Sequence, residues 1–255
     1  MHIKVLGCSG GIGGSRRTTS FLVDDDILID AGTGVMNMEV DELVRVDRIF
    51  LTHTHLDHIA ALPLLVDTVG AMRSAPLVLH ASCSSLATLR AHIFNWHIWP
   101  DFFRIPDARS PFLTSEVLEH GECVEVGRGR TIRALPVNHT IPAVGYAVSG
   151  DNGTLVFSGD TTRCPAFWKT VNAIADLKYL IIETAFSENE KAIAEASKHL
   201  CPSMLGADLA RYSNTAPLYI THLKPREEDL IMEQVHEVAD GREVHRLENG
   251  QIFEL

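Results

Sequence analysis

Four side chains able to bind a divalent cation, His53, His55, Asp57 and His58, fall within six positions, directly behind the apolar run Ile49-Phe50-Leu51. A tetrahedral ion that keeps one position open for water takes about three protein ligands. Four ligands here, with more elsewhere, therefore point to two ions that activate water for hydrolysis. A solvated, histidine-rich loop is the alternative.

Further ligands do follow. His139 comes after the apolar segment Ile132 to Val137, Asp160 closes Thr154 to Gly159, and His222 ends Leu218 to Thr221. Each stands just past a short β-like run, where open α/β architectures place the groups that do chemistry. None is a cysteine, and a nitrogen and oxygen set suits zinc, manganese or iron. Zinc is the expected metal.

The stretch from His53 to His58 resembles the HxHxDH signature of the metallo-β-lactamase superfamily of two-metal hydrolases, and the later ligands appear in the matching order. The resemblance implies an α/β fold, a four-layered αββα sandwich of the metallo-β-lactamase type. It assigns His53, His55 and His139 to one ion and Asp57, His58 and His222 to the other, with Asp160 between them. Asp30, at the end of Ile27-Leu28-Ile29, would support the metal loop by hydrogen bonds without touching metal.

Two more residues narrow the chemistry. The stretch Ile181 to Phe186, followed by Ser197-Lys198-His199, looks like the Glu and His pair of ribonuclease Z and its phosphodiesterase relatives. Cleaving a phosphodiester leaves an alkoxide that needs a proton, and an imidazolium held by a carboxylate can supply it. His199 is thus a candidate general acid and Glu183 its orienting partner, with Asp57 counted among the catalytic residues as well as the ligands. A helix-end histidine and a strand-end ion-pair partner are the plain alternatives. Arg16 and Arg17, beside the glycine-rich stretch Gly7 to Gly14, could meet a phosphate or simply decorate a turn; Arg17 is the substrate candidate.

The likeness extends to class II 3′,5′-cyclic-nucleotide phosphodiesterases through His53 to Ile59, His92 to Trp96, Trp99 to Phe102 and His199 to Pro202. It implies hydrolysis of a small anionic phosphodiester, cyclic AMP or cyclic GMP, to the 5′-monophosphate. A ribonuclease Z-like phosphodiesterase, a lactonase or thiolesterase of the same fold, and a non-catalytic nucleotide sensor are the other readings.

The elements that must carry these groups fit one domain over 1–255. The chain has 255 residues, 45% of them hydrophobic, enough for a large core. A net charge of −11 argues against general nucleic-acid binding, which needs clustered Lys and Arg. Five scattered cysteines without a CxxC pair suit a reducing, cytoplasmic setting, and no segment is long and apolar enough for a membrane span.

Strands are expected over Ile3–Leu6, Thr18–Val23, Ile27–Gly32, Leu77–His80, Glu122–Val126, Thr131–Val137, Val144–Val148, Thr154–Phe157, Lys178–Ile182 and Leu218–Thr221. The spacing predicts helices over Ile59–Met72, Glu188–Ser197, Cys201 onward and Glu227–Ala239, and a closing hairpin of Glu243–Leu247 with Gln251–Leu255 around Asn249-Gly250. An aromatic-rich helical insertion near 82–115 would cover the site mouth and stack on a base, meet the second copy of a homodimer, or pack on the domain's own core.

Overall fold

The computed structural model describes residues 1–255. The first half of the chain runs β1 (His2–Gly7), β2 (Ser20–Val23), β3 (Ile27–Ile29), α1 (Val40–Arg45), β4 (Arg48–Phe50), α2 (Leu56–Ile59), α3 (Leu62–Val69), β5 (Leu77–Ala81) and α4 (Cys83–His92). A two-stranded ribbon, β6 (Pro106–Asp107) and β7 (Ser110–Pro111), then leads to β8 (Leu113–Val117). The second half runs β9 (Cys123–Glu125), β10 (Thr131–Pro136), β11 (Val144–Gly150), β12 (Gly153–Phe157), α5 (Pro165–Asn172), β13 (Leu177–Glu183), α6 (Lys191–Ser197), α7 (Pro202–Leu209), β14 (Leu218–Thr221), α8 (Glu228–Val238), β15 (Val244–Arg246) and β16 (Ile252–Glu254).

Two seven-stranded sheets result, ordered β16-β1-β2-β3-β4-β5-β8 and β15-β14-β13-β12-β11-β10-β9. Each is antiparallel at one end and parallel at the other, because hairpins join the first kind of strand and helical crossovers the second. Apolar side chains of the two inner faces meet in one core, where Phe21 of β2 packs on Phe157 of β12 at 4.8 Å between ring centroids. Tyr146 ties the layers further, its hydroxyl donating to the Leu51 carbonyl at 2.7 Å.

The outer faces are covered by helices. Leu28, Ile49 and Leu79 pack with Leu62, Leu65, Val66, Leu86 and Leu89 on one side. Val156, Leu180, Ile182 and Ile220 pack with Trp168, Leu205, Ile231 and Val235 on the other. Buried apolar area holds all three interfaces, each fully buried Leu or Ile contributing about 1.5–3 kcal/mol. The order helix, sheet, sheet, helix is the four-layered αββα sandwich.

Three expectations change. The closing hairpin does not form: β15 pairs with β14 in one sheet and β16 with β1 in the other, so the turn at Asn249-Gly250 carries the chain across the sandwich. The helix expected from Ile59 to Met72 breaks at Ala60-Ala61, because the Ala61 N–H bonds the Ala31 carbonyl while Ala31 bonds back to His58. That clasp brings the metal-loop segment against the end of β3, and Pro63 falls in the first turn of α3, where its missing N–H is harmless. The aromatic segment is helical only over Cys83–His92. Beyond it Phe94, Phe102 and Phe103 sink into the core with Leu86 and Leu89, leaving Trp96 and Ile98 outside.

No helix is long and apolar enough to cross a membrane, and all five cysteines are free thiols.

Candidate metal centre

The chemistry-bearing residues gather where strands end. β4 delivers His53 and the loop through His58, β3 leads to Asp30, β10 to His139, β12 to Asp160, β13 ends on Glu183 and β14 precedes His222. Two groups have ligand atoms mutually within 4.8 Å: His53, His55, His139 and Asp160; and Asp57, His58, Asp160 and His222. Asp160 belongs to both.

Their spacing tests the fit of an ion. The Asp160 carboxylate lies 3.6 Å from His53 Nε2, 3.9 Å from His139 Nε2, 3.3 Å from His58 Nε2 and 3.6 Å from His222 Nδ1. The Asp57 carboxylate lies 3.8 Å from His58 Nε2 and 3.6 Å from His222 Nε2. Most are too long for hydrogen bonds. Two ligand atoms each ~2.0–2.2 Å from a tetrahedral ion stand about 3.3–3.6 Å apart, which is close to these separations. Moreover His53 Nε2, His58 Nε2 and His222 Nδ1 are buried with no hydrogen-bond partner, an arrangement that leaves polar atoms costly unless a cation meets them.

Three of the imidazoles, those of His53, His58 and His139, are held in the tautomer that metal binding needs. His58 Nδ1 donates to Asp30 Oδ2 at 2.7 Å, and the Thr52 hydroxyl, 2.8 Å from the same oxygen, lies 3.0 Å from His53 Nδ1. Asp30 Oδ1 also accepts the Thr52 N–H at 2.8 Å. His139 Nδ1 donates to the Lys198 carbonyl at 3.1 Å. With Nδ1 protonated, Nε2 offers its lone pair.

Electrostatics agree. Burial lowers His53, His139 and His222, the last two to about 4 and about 3, so the neutral, ligating form prevails. Burial also opposes charge on Asp160, but His222 and His58 outweigh it and hold the carboxyl well below its ordinary range. Burial disfavours a charged His58 too, yet Asp160 and Asp30 lift it well above its usual value. The two carboxylates thus favour positive charge where a cation would sit.

Beside this cluster lies a second arrangement. His199 Nδ1 is 2.8 Å from Glu183 Oε1, and the His199 ring stacks on His222 at 5.1 Å and 13°. Glu183, fully buried, also accepts the N–H groups of Thr161, Ala185 and Leu200 at 3.0–3.3 Å. Burial works against an imidazolium at His199, but the Glu183 carboxylate overrides it and raises the group above its ordinary value.

Backbone strain helps to aim these groups. Asp30, Lys198 and His222 all adopt left-handed φ values of 56°, 54° and 64°, which for residues other than glycine cost energy and cluster at functional sites. Gly10 permits the approach of the glycine-rich loop: a Cβ there would clash with the His222 carbonyl.

Of the residues singled out from sequence, Arg17 and its neighbour Arg16 stand outside. The Arg17 guanidinium donates to the carbonyls of Gly14 and Arg16 and to Asn37 Oδ1, within its own loop and the neighbouring turn. Arg16 pairs with Glu228 at 2.6 Å. Two contributors escape a reading for ligands. Thr52 is the hub between Asp30, His53 and His58, and Lys198 clamps His139. Their positions next to His53 and His199 were the only signal.

Residues 25–244 match the Beta-lactamase superfamily domain, and the chain belongs to that family. A probable 3′,5′-cyclic-nucleotide phosphodiesterase of Yersinia pestis is 26% identical over 199 residues, 69% of this chain, which there spans 56% of the relative's length. A ribonuclease Z of Haloarcula marismortui is 23% identical, covering 98% of this chain and 95% of its own. Among solved structures, unliganded yeast PDE1 superposes with a TM-score of 0.82 at 17% identity over 100% of this chain and 99% of its own. The short form of human tRNase Z gives 0.68 at 18% over 100% and 99%. At these identities the superpositions establish shared fold. The chain is thus a member of the Beta-lactamase superfamily whose clustered histidines and carboxylates could hold metal ions.

Proposed function

We propose that this chain is a two-metal phosphodiesterase that hydrolyses 3′,5′-cyclic nucleotides to 5′-monophosphates. One observation carries the reading: the Glu183–His199 pair stands against the two ligand groups joined by Asp160. The first ion is assigned to His53, His55 and His139, the second to Asp57, His58 and His222, with Asp160 shared, and zinc is the favoured metal. Two divalent ions bound there would lower the pKa of water and polarise the phosphoryl oxygens.

The chain's own groups do the rest. Asp57, the one partly exposed carboxylate of the cluster, is kept ionised despite burial by His58 and His222 and can take a proton from the attacking water. As the new O–P bond forms, the P–O3′ bond breaks and its electron pair leaves with O3′. His199 Nε2 gives its proton to that oxygen, while Glu183 stabilises the imidazolium and fixes the ring. Asp30 and Thr52 hold His58 and His53 in place.

Purified protein reconstituted with zinc or manganese and assayed on cyclic AMP and cyclic GMP tests this. Turnover to 5′-monophosphate is expected; hydrolysis of carboxylic esters with no phosphodiester turnover would sink it. The full-length match to ribonuclease Z supports a second reading, cleavage of a folded RNA, against which the net charge of −11 weighs. Salt-dependent tRNA binding and cleavage would favour that one.

A further inference from the structure

A cleft of about 460 Å³ opens beside the metal centre. One wall is the loop between β10 and β11, with Thr140, Ile141 and Pro142; the other is Ser82, Glu119 and His120, just past the ends of β5 and β8. His139 joins the two places, since its backbone region lines the cleft while its buried ring reaches into the cluster, Nε2 lying 3.1 Å from His55 Nδ1. A ligand whose phosphate meets the ions that His55, His139 and Asp160 would hold could therefore extend past His139 into this space.

We infer that the cleft holds the base of the nucleotide and favours guanine over adenine. This rests on the proposed phosphodiesterase reading and adds a specificity site to it. The volume falls in the range of small-molecule pockets, which combine apolar walls with a few fixed polar groups. Here Ile141 and Pro142 offer a face for a flat ring. Glu119, part of the wall, is anchored by one oxygen, Oε1 accepting the Cys83 N–H at 2.8 Å, which leaves its other oxygen to accept from a ligand. An ionised carboxylate only accepts. The guanine edge presents two adjacent donors, the ring N–H and the amino group, whereas adenine pairs its amino group with a ring acceptor that a carboxylate repels. Phe94, Phe102 and Phe103 of the aromatic segment, for which stacking on a base is one of three expected roles, are committed to the core beneath the first sheet.

Calorimetric titration of the zinc-reconstituted protein with 5′-GMP and 5′-AMP tests the inference, alongside turnover of bis(p-nitrophenyl) phosphate, a diester without a base. GMP is expected to bind about tenfold more tightly than AMP, the scale of one hydrogen bond to a charged group. Glu119→Gln keeps an acceptor for Cys83 and should abolish the preference. Ile141→Trp fills the cleft and should weaken both nucleotides, with bis(p-nitrophenyl) phosphate turnover unchanged in each variant. Equal GMP and AMP affinity in the wild type, or GMP binding untouched by both substitutions, overturns the inference. Absence of diester turnover in the wild type overturns the phosphodiesterase reading instead, and the GMP titration still decides the cleft by itself.

Discussion

Lys198 and His139 are tied twice, in opposite directions. His139 Nδ1 donates to the Lys198 carbonyl at 3.1 Å, and Lys198 Nζ donates back to the His139 carbonyl at 3.1 Å and to Asn138 Oδ1 at 3.3 Å. One strained residue thereby fixes both the ring and the backbone of a candidate ligand, and the next residue is His199. Lys198→Ala removes the ammonium half of this clamp, so metal affinity should fall roughly tenfold, the lower range for such supporting contacts. Competition with a chelator measures it, and Lys198→Arg should restore most of the loss. Unchanged affinity in Lys198→Ala would mean that the clamp is incidental.

Asp30 accepts three hydrogen bonds, from the Thr52 N–H, the Thr52 hydroxyl and His58 Nδ1, at 2.7–2.8 Å and with no exposure to solvent. Asp30→Ala leaves those donors buried and unmet. It should destabilise the fold by about 3 kcal/mol and weaken metal binding by 10–100-fold. Thermal unfolding and chelator competition, run on the same sample, report both effects.

For His199 and Glu183 the signature lies in the leaving group. A ribose alkoxide needs a proton and p-nitrophenolate does not. His199→Ala should lower cyclic-nucleotide kcat by 10²–10⁴ while sparing bis(p-nitrophenyl) phosphate. Glu183→Gln should lie between, retaining the ring's place but losing support for its charge. Equal losses on both substrates would assign His199 to structure and not to proton transfer.

His80 predicts a pH dependence distant from the candidate ligands. Burial lowers it to about 4, with Glu116 opposing and Arg48 assisting, and its ring stacks on Phe50 at 4.3 Å. The folded state therefore holds the neutral form, while the unfolded chain takes up a proton near pH ~6.5. Stability from this group is complete above that value and is lost as pH falls towards 4, by up to about 3 kcal/mol. The drop in Tm between pH 7 and pH 5 should shrink in His80→Phe.

Arg130 staples the sheets. Its buried guanidinium binds Asp24 at 2.8 Å and Asp26 at 2.7 and 2.8 Å, joining the turn between β2 and β3 to that between β9 and β10. Removing one partner of such a pair leaves uncompensated charge. Arg130→Ala should cost about 3–5 kcal/mol in denaturant unfolding without changing bound metal per folded molecule.

Much of the fold was readable because apolar runs and helical spacing report local structure directly. The strands from β9 to β14 lie near their expected positions, and α8 covers Glu228–Val238. α5 has no counterpart among the expected helices, although Pro165 at its first turn, with buried Phe167, Trp168 and Val171, carries the usual marks. Cys201 illustrates the opposite case. It makes no cap for α7, and Glu188, thirteen residues earlier, bonds the N–H and hydroxyl of Ser203 at 3.0 and 2.8 Å instead. No local pattern announces a partner that arrives from another element.

By itself the sequence determined the chemical inventory: which side chains can ligate, accept or donate, and that each follows a run apolar enough to be buried. Residue identity carries that information, so the histidines and carboxylates could be named in order along the chain. Tertiary structure alone decided which sheet each closing strand joins, and that Thr52 and Lys198 set tautomer and place. Those depend on hydrogen bonds and packing between residues far apart in sequence, where several partners satisfy the same local pattern and only the assembled core selects one.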